Sequence, residues 1–177
     1  MDTTWDAVKQ VIQPWGIYSV VMLLMIYSYL IQITAGLLTV QIMQDLELSS
    51  TQVALLISGF YYVYPFLQFP AGILIDHFGA RNLLAMGSVL ACFGCLGFAI
   101  TDQYWIAMIS RVTLGVGLAL NFVAFVYVTA TWMSSTWFAV LVSLGETVPI
   151  IVSTIGELLL SRTMHLVSWR QLFWGAG

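Results

Sequence analysis

Charge is what this sequence has least of. Its 177 residues hold five lysines and arginines and eight aspartates and glutamates, 7% charged in all, with a net charge of -3. A soluble domain carries about 25% charged residues, so this chain cannot clothe itself for water. A basic face for nucleic acid is excluded by the same shortage. Only two histidines, His77 and His165, are present, and they are expected at opposite membrane faces, so no metal cluster or nucleophile–base pair is expected. No Gly-x-x-x-x-Gly-Lys-Ser/Thr loop occurs, which argues against nucleotide-driven work. The two cysteines, Cys92 and Cys95, form a Cys-x-x-Cys inside an apolar run, and redox or zinc motifs sit in polar, accessible settings. They are read as small helix-packing residues. No cofactor and no metal are expected.

What fills the sequence is apolar. Hydrophobic residues make up 60% of it and the mean hydropathy is +0.95. The first apolar run is too long for a cleaved secretory signal. A membrane-spanning helix needs about 20 such residues, and five segments qualify, at 17–42, 53–75, 83–100, 104–133 and 138–160. A sixth opens near Gln171 and reaches the end of the chain at Gly177. The intervening breaks at 44–50, 76–81, 101–103, 134–136 and 161–170 are short and polar, as irregular backbone at a membrane surface must be. Trp15, Tyr104, Trp105, Trp132, Trp137, Trp169 and Trp174 fall at or near the helix ends, where an interfacial aromatic belt belongs. The expected class is an all-α multi-pass membrane protein with five complete helices and the start of a sixth.

A short repeat organises these helices. Gly79-Ala80-Arg81-Asn82-Leu83-Leu84 returns as Ser168-Trp169-Arg170-Gln171-Leu172-Phe173. Each copy follows a long helix and opens the next, and an offset of three helices puts the copies on opposite membrane faces. That is an inverted three-plus-three arrangement, with units at about 15–101 and 104–177. By this repeat the sixth helix is expected to continue past Gly177, so the chain reads as a slightly shortened half of a longer protein. Orientation is nearly balanced by charge: an inside N-terminus keeps Lys9 and Arg81 inside but leaves Arg162 and Arg170 outside.

Few polar side chains lie within the apolar segments. Arg111 sits about seven residues past Tyr104, on the order of 10 Å into the slab, where an unpaired arginine costs at least about 2.5 kcal/mol. Glu146 and Glu157 are about 11 residues apart, which returns them to one helix face roughly 16 Å apart. Glu146 falls near mid-depth and is the expected proton or substrate carboxylate, and Glu157 is expected to pair with Arg111. Tyr27, Gln32, Tyr61, Tyr64, Gln68 and Asn121 are candidates to line a cavity, and equally serviceable as helix–helix contacts.

Four ordered elements resemble the major facilitator superfamily of transporters. They are Gly72-Ile73-Leu74-Ile75-Asp76-His77-Phe78-Gly79-Ala80-Arg81; the stretch 46–50 followed by 59–72; Arg111-Val112-Thr113-Leu114-Gly115-Val116-Gly117; and Trp169-Arg170. The resemblance implies the N-terminal six-helix half of a transporter that works by alternating access, in a bacterial plasma membrane. It implies that the turn 76–81 is cytoplasmic and that Asp76 and Arg81 form a latch against the absent second half, while Gly72 and Gly79 would permit close helix approach and a tight turn. Partners implied are a small polar solute, protons and the lipid bilayer. His77 stands where a basic residue is usual and Ala80 where a second arginine often sits. The stretch Gly145-Glu146-Thr147-Val148-Pro149 lacks the glycine–proline spacing of drug–proton antiporters, which favours uptake of a metabolite over multidrug export.

Overall fold

In the computed structural model the described backbone covers residues 3–163 and 168–177, with side chains described for 13–162 and 168–177; His165 lies outside them. These residues form six helices and no strand: α1 (Thr3–Leu37), α2 (Thr39–Asp45), α3 (Ser50–Ile100), α4 (Tyr104–Trp132), α5 (Phe138–Thr163) and α6 (Trp169–Ala176). Four candidate spans are long and apolar enough to cross a membrane: Gln13–Leu37, Ser50–Ile100, Tyr104–Trp132 and Phe138–Arg162. The expected count of five complete helices is not what length and composition mark. The difference lies in α3, where helical backbone continues through the expected loop at 76–81 and departs from helical values only at Gly79.

Gly79 adopts φ +75 and ψ 158, a region essentially reserved for glycine. It divides α3 into a first arm, 50–78, and a second arm, 80–100. The arms lie side by side, because Phe60 of the first and Phe98 of the second both cover the Arg111 guanidinium, at 5.9 and 5.6 Å from its carbon to the ring centroids. In a continuous helix those two phenylalanines would stand roughly 57 Å apart. The chain therefore reverses at Gly79.

Both arms pack on α4, which forms the most extensive contact in the molecule. Small residues permit it. A Cβ on Gly94 would lie 2.7 Å from the Leu114 backbone nitrogen, and one on Gly117 would lie 2.6 Å from that of Ala91. Backbones that close gain dispersion contacts and exclude lipid from between the helices. The helix α5 rests mainly on α1 and touches α4 only sparsely.

Long-range hydrogen bonds sort the helix ends into two levels. At one level Tyr18 of α1 donates to the Leu141 carbonyl of α5 at 2.9 Å. At the other, Trp169 Nε1 donates to Asp45 Oδ2 at 2.7 Å, and Arg170 pairs with Asp102 at 2.6 Å. Arg170 also donates to the Ala99 and Thr101 carbonyls at 3.1 and 2.9 Å, which satisfies acceptors orphaned at the end of α3. Ser168 and Gln171 form a capping box at the start of α6, and Trp169 and Phe173 bury themselves against Phe98.

Candidate functional site

Gly145 is the reason Glu146 has its position. A side chain at 145 would collide with the Phe125 ring, so its absence lets α5 reach α4 at that level. Glu146 then receives a hydrogen bond on Oε2 from the Tyr29 hydroxyl of α1. Its other oxygen, Oε1, is buried and has no hydrogen-bond partner among the described residues. Tyr64, on the first arm of α3, is an electrostatic neighbour of this carboxylate, and Gln68, one turn further on, sits beside the Tyr64 hydroxyl. Tyr61 neighbours Tyr29 from the same arm. A carboxylate, three phenols and an amide from three helices thus converge. Of the expected cavity residues, Tyr61, Tyr64 and Gln68 come together here, around the expected carboxylate Glu146.

Tyr29 is the member that sequence reasoning missed. Its signal was available: Tyr27 and Tyr29 are two residues apart, about 200° around a helix, so they must face different neighbours. Tyr27 turns toward α6, where its hydroxyl donates to the Ala176 carbonyl and neighbours Cys95. It lines a separate groove of about 420 Å³ with Ile31, Thr34, Leu172 and Phe173. Gln32 is half-buried one turn along the Tyr29 face.

Arg111 is completely buried in the wedge between the arms of α3. Phe60 and Phe98 cover its guanidinium, and Cys95 and Tyr61 are its electrostatic neighbours. None of its three nitrogens has a hydrogen-bond partner among the described residues. The expected Arg111–Glu157 pair is not formed. Arg111 projects toward α3, whereas Glu157 rides on α5, which lies against α1. Equal depth on neighbouring helices did not mean facing sides. Asn121 likewise does not line the Glu146 cluster; it is buried in the α3–α4 seam, where a Cβ on Gly87 would strike its amide.

The turn that carries the expected latch is exposed. Gly72, Asp76 and Arg81 all face outward, and neither charge has an ion pair among the described residues. Nothing stands within 4 Å of where a Cβ on Gly72 would be, so the expected close helix approach is not made there. The second copy, at 168–173, is the engaged one, through Asp45, Asp102 and the end of α3.

The Major Facilitator Superfamily profile matches residues 20–177. An uncharacterized transporter of Bacillus subtilis (strain 168), YybO, is 23% identical over 159 residues. That match covers 90% of this chain but only 37% of the relative, so the chain spans little more than a third of the relative's length. No solved structure matches. With nearly all of its length under the family profile, this multi-pass membrane chain belongs to the Major Facilitator Superfamily.

Proposed function

We propose that the chain is the N-terminal half of a secondary transporter that moves a small polar solute by alternating access, coupled to protons through Glu146. The observation that carries this reading is Glu146 itself: an ionisable side chain within a span, held on one oxygen by Tyr29 and buried on the other without a hydrogen-bond partner among the described residues. A carboxylate so placed can exist neutral or charged, and its charge state biases which arrangement of the surrounding helices is favoured.

Each arm of α3 is long enough to cross a membrane alone, since both reach about 20 residues. With both arms crossing, the chain makes five crossings and α6 begins a sixth. The two copies of the repeat then lie on opposite faces, in keeping with inverted units at about 15–101 and 104–177. Asp76 and Arg81, exposed and without an ion pair among the described residues, form the half-latch of a cytoplasmic gate, and the second half of the transporter supplies its partner surface. The membrane is a bacterial plasma membrane. Uptake is favoured over export because α5 lacks the antiporter glycine–proline spacing.

The test is transport by the complete reading frame in proteoliposomes, screened against pooled metabolites with and without an imposed pH gradient. The gradient is expected to accelerate uptake of at least one pool, and Glu146→Gln is expected to abolish that acceleration. Uptake that ignores the gradient in both proteins refutes the coupling role.

A further inference from the structure

Three tryptophans from the ends of three helices line one groove. Trp15 of α1, Trp132 at the end of α4 and Trp137 just before α5 border a space of about 330 Å³, together with Met133, Ser134 and Leu141. Small-ligand pockets run from about 300 to 1,000 Å³, so the groove can hold a small headgroup. All three rings are exposed. The spans Gln13–Leu37, Tyr104–Trp132 and Phe138–Arg162 begin or end at this level, so the groove lies where a bilayer surface meets the protein.

Interfacial tryptophans in general need only a depth in common. These three also share a cavity, and the backbone beside it is unsatisfied. The Met133 N–H donates to the Thr129 carbonyl at 3.2 Å and closes α4. The next carbonyls, of Ala130, Thr131 and Trp132, receive no hydrogen bond among the described residues. No basic residue stands in the last turn of α4 to answer them, so the partial negative charge of this helix end is uncompensated. The same helix end supplies Trp132, Met133 and Ser134 to the groove wall. Carbonyl oxygens and indole ring faces are both partners for a cation. The indole N–H groups of the three tryptophans, without partners among the described residues, are donors for an anion. A compact zwitterion answers both sets.

We propose that this groove binds the headgroup of a primary-ammonium phospholipid, of which phosphatidylethanolamine is the simplest. Its ammonium sits among the rings of Trp15, Trp132 and Trp137 and donates to the free carbonyls at the end of α4. Its phosphate accepts from the indole N–H groups. A primary ammonium has three protons to give and a trimethylammonium has none. The rings therefore attract both, while the carbonyls select against choline lipids. An anionic glycerol headgroup brings no cation to either. The occupant is a lipid because the groove lies at the level where headgroups are concentrated, on a chain surrounded by bilayer.

The test offers the 177-residue chain, in detergent micelles, an equimolar mixture of phosphatidylethanolamine, phosphatidylcholine and phosphatidylglycerol with identical acyl chains. Native mass spectrometry is expected to show the ethanolamine lipid retained over each of the others by about tenfold. Trp132→Leu and Trp137→Leu, each checked for folding by circular dichroism, are expected to erase that preference. Trp105→Leu, which removes an exposed ring at the opposite end of α4, is expected to keep it. A second series needs no variant: with the mono-, di- and trimethylated ethanolamine lipids, retention by the wild type is expected to fall as each N–H is replaced. Equal retention of ethanolamine and choline lipids, or a flat methylation series, overturns the proposal. So does a preference that survives in both folded groove variants. Binding of soluble glycerophosphoethanolamine without retention of the lipid overturns the lipid as occupant.

Discussion

At the scale of single residues, similar glycines do different work. Gly94 meets Leu114 backbone atoms at 2.7 and 2.8 Å from an added Cβ, so Gly94→Ala must push two helices apart. It is expected to destabilise the chain by about 2 kcal/mol. Gly72→Ala, with nothing within 4 Å, is expected to be neutral or slightly stabilising through helix propensity. Thermal unfolding of both variants in detergent checks the contrast, and equal shifts would contradict the packing described. Tyr29→Phe removes the donor to Glu146 Oε2 and leaves a second carboxylate oxygen bare. Its expected cost is about 1–3 kcal/mol, read in the same assay, and Glu146→Gln in that background is expected to recover part of it. Glu146 and Arg111 were legible as outliers because charge is so scarce here. Which partners they meet was not, since a helical sequence shows depth but not the facing of neighbours.

At the scale of elements, α3 and α6 carry the lesson. Sequence patterning places a loop at 76–81, yet only Gly79 leaves helical backbone values there, so two helical arms meet at one residue. Gly79→Ala places a Cβ in a backbone region essentially closed to it, at a cost of roughly 1–3 kcal/mol. The start of α6 is tied by Arg170 to the end of α3. Because Asp102 is 85% exposed and Arg170 26% exposed, the ion pair itself contributes little. The carbonyl contacts at Ala99 and Thr101 matter more. Arg170→Ala is expected to speed amide hydrogen exchange at 169–173 while leaving α4 unchanged. Equal protection in mutant and wild type would show that Trp169 and Phe173 anchor α6 without it.

At the scale of the whole molecule, the reversal at Gly79 sets the two faces. Single cysteines replacing Asp76 and Asp102, with Cys92 and Cys95 replaced by alanine, are expected to react with a membrane-impermeant maleimide from opposite sides of a vesicle. Labelling of both from one side would mean that α3 does not return. Composition by itself determined that this chain lives in lipid, because 7% charge cannot solvate a surface. Apolar runs of span length determined that it is helical, since in lipid they leave the backbone only its own hydrogen bonds, and short motifs carried the resemblance to the Major Facilitator Superfamily that the family profile shows. Tertiary structure alone decided that the repeated Gly72–Arg81 element stands open while its partner at 168–173 is engaged. It alone decided that Arg111 and Glu157 stay apart, and that Tyr29 rather than Tyr27 meets Glu146. The physical reason is rotation. A turn of 100° per residue about each helix axis sets which side chains face inward, and only the packing of one helix on another fixes that angle.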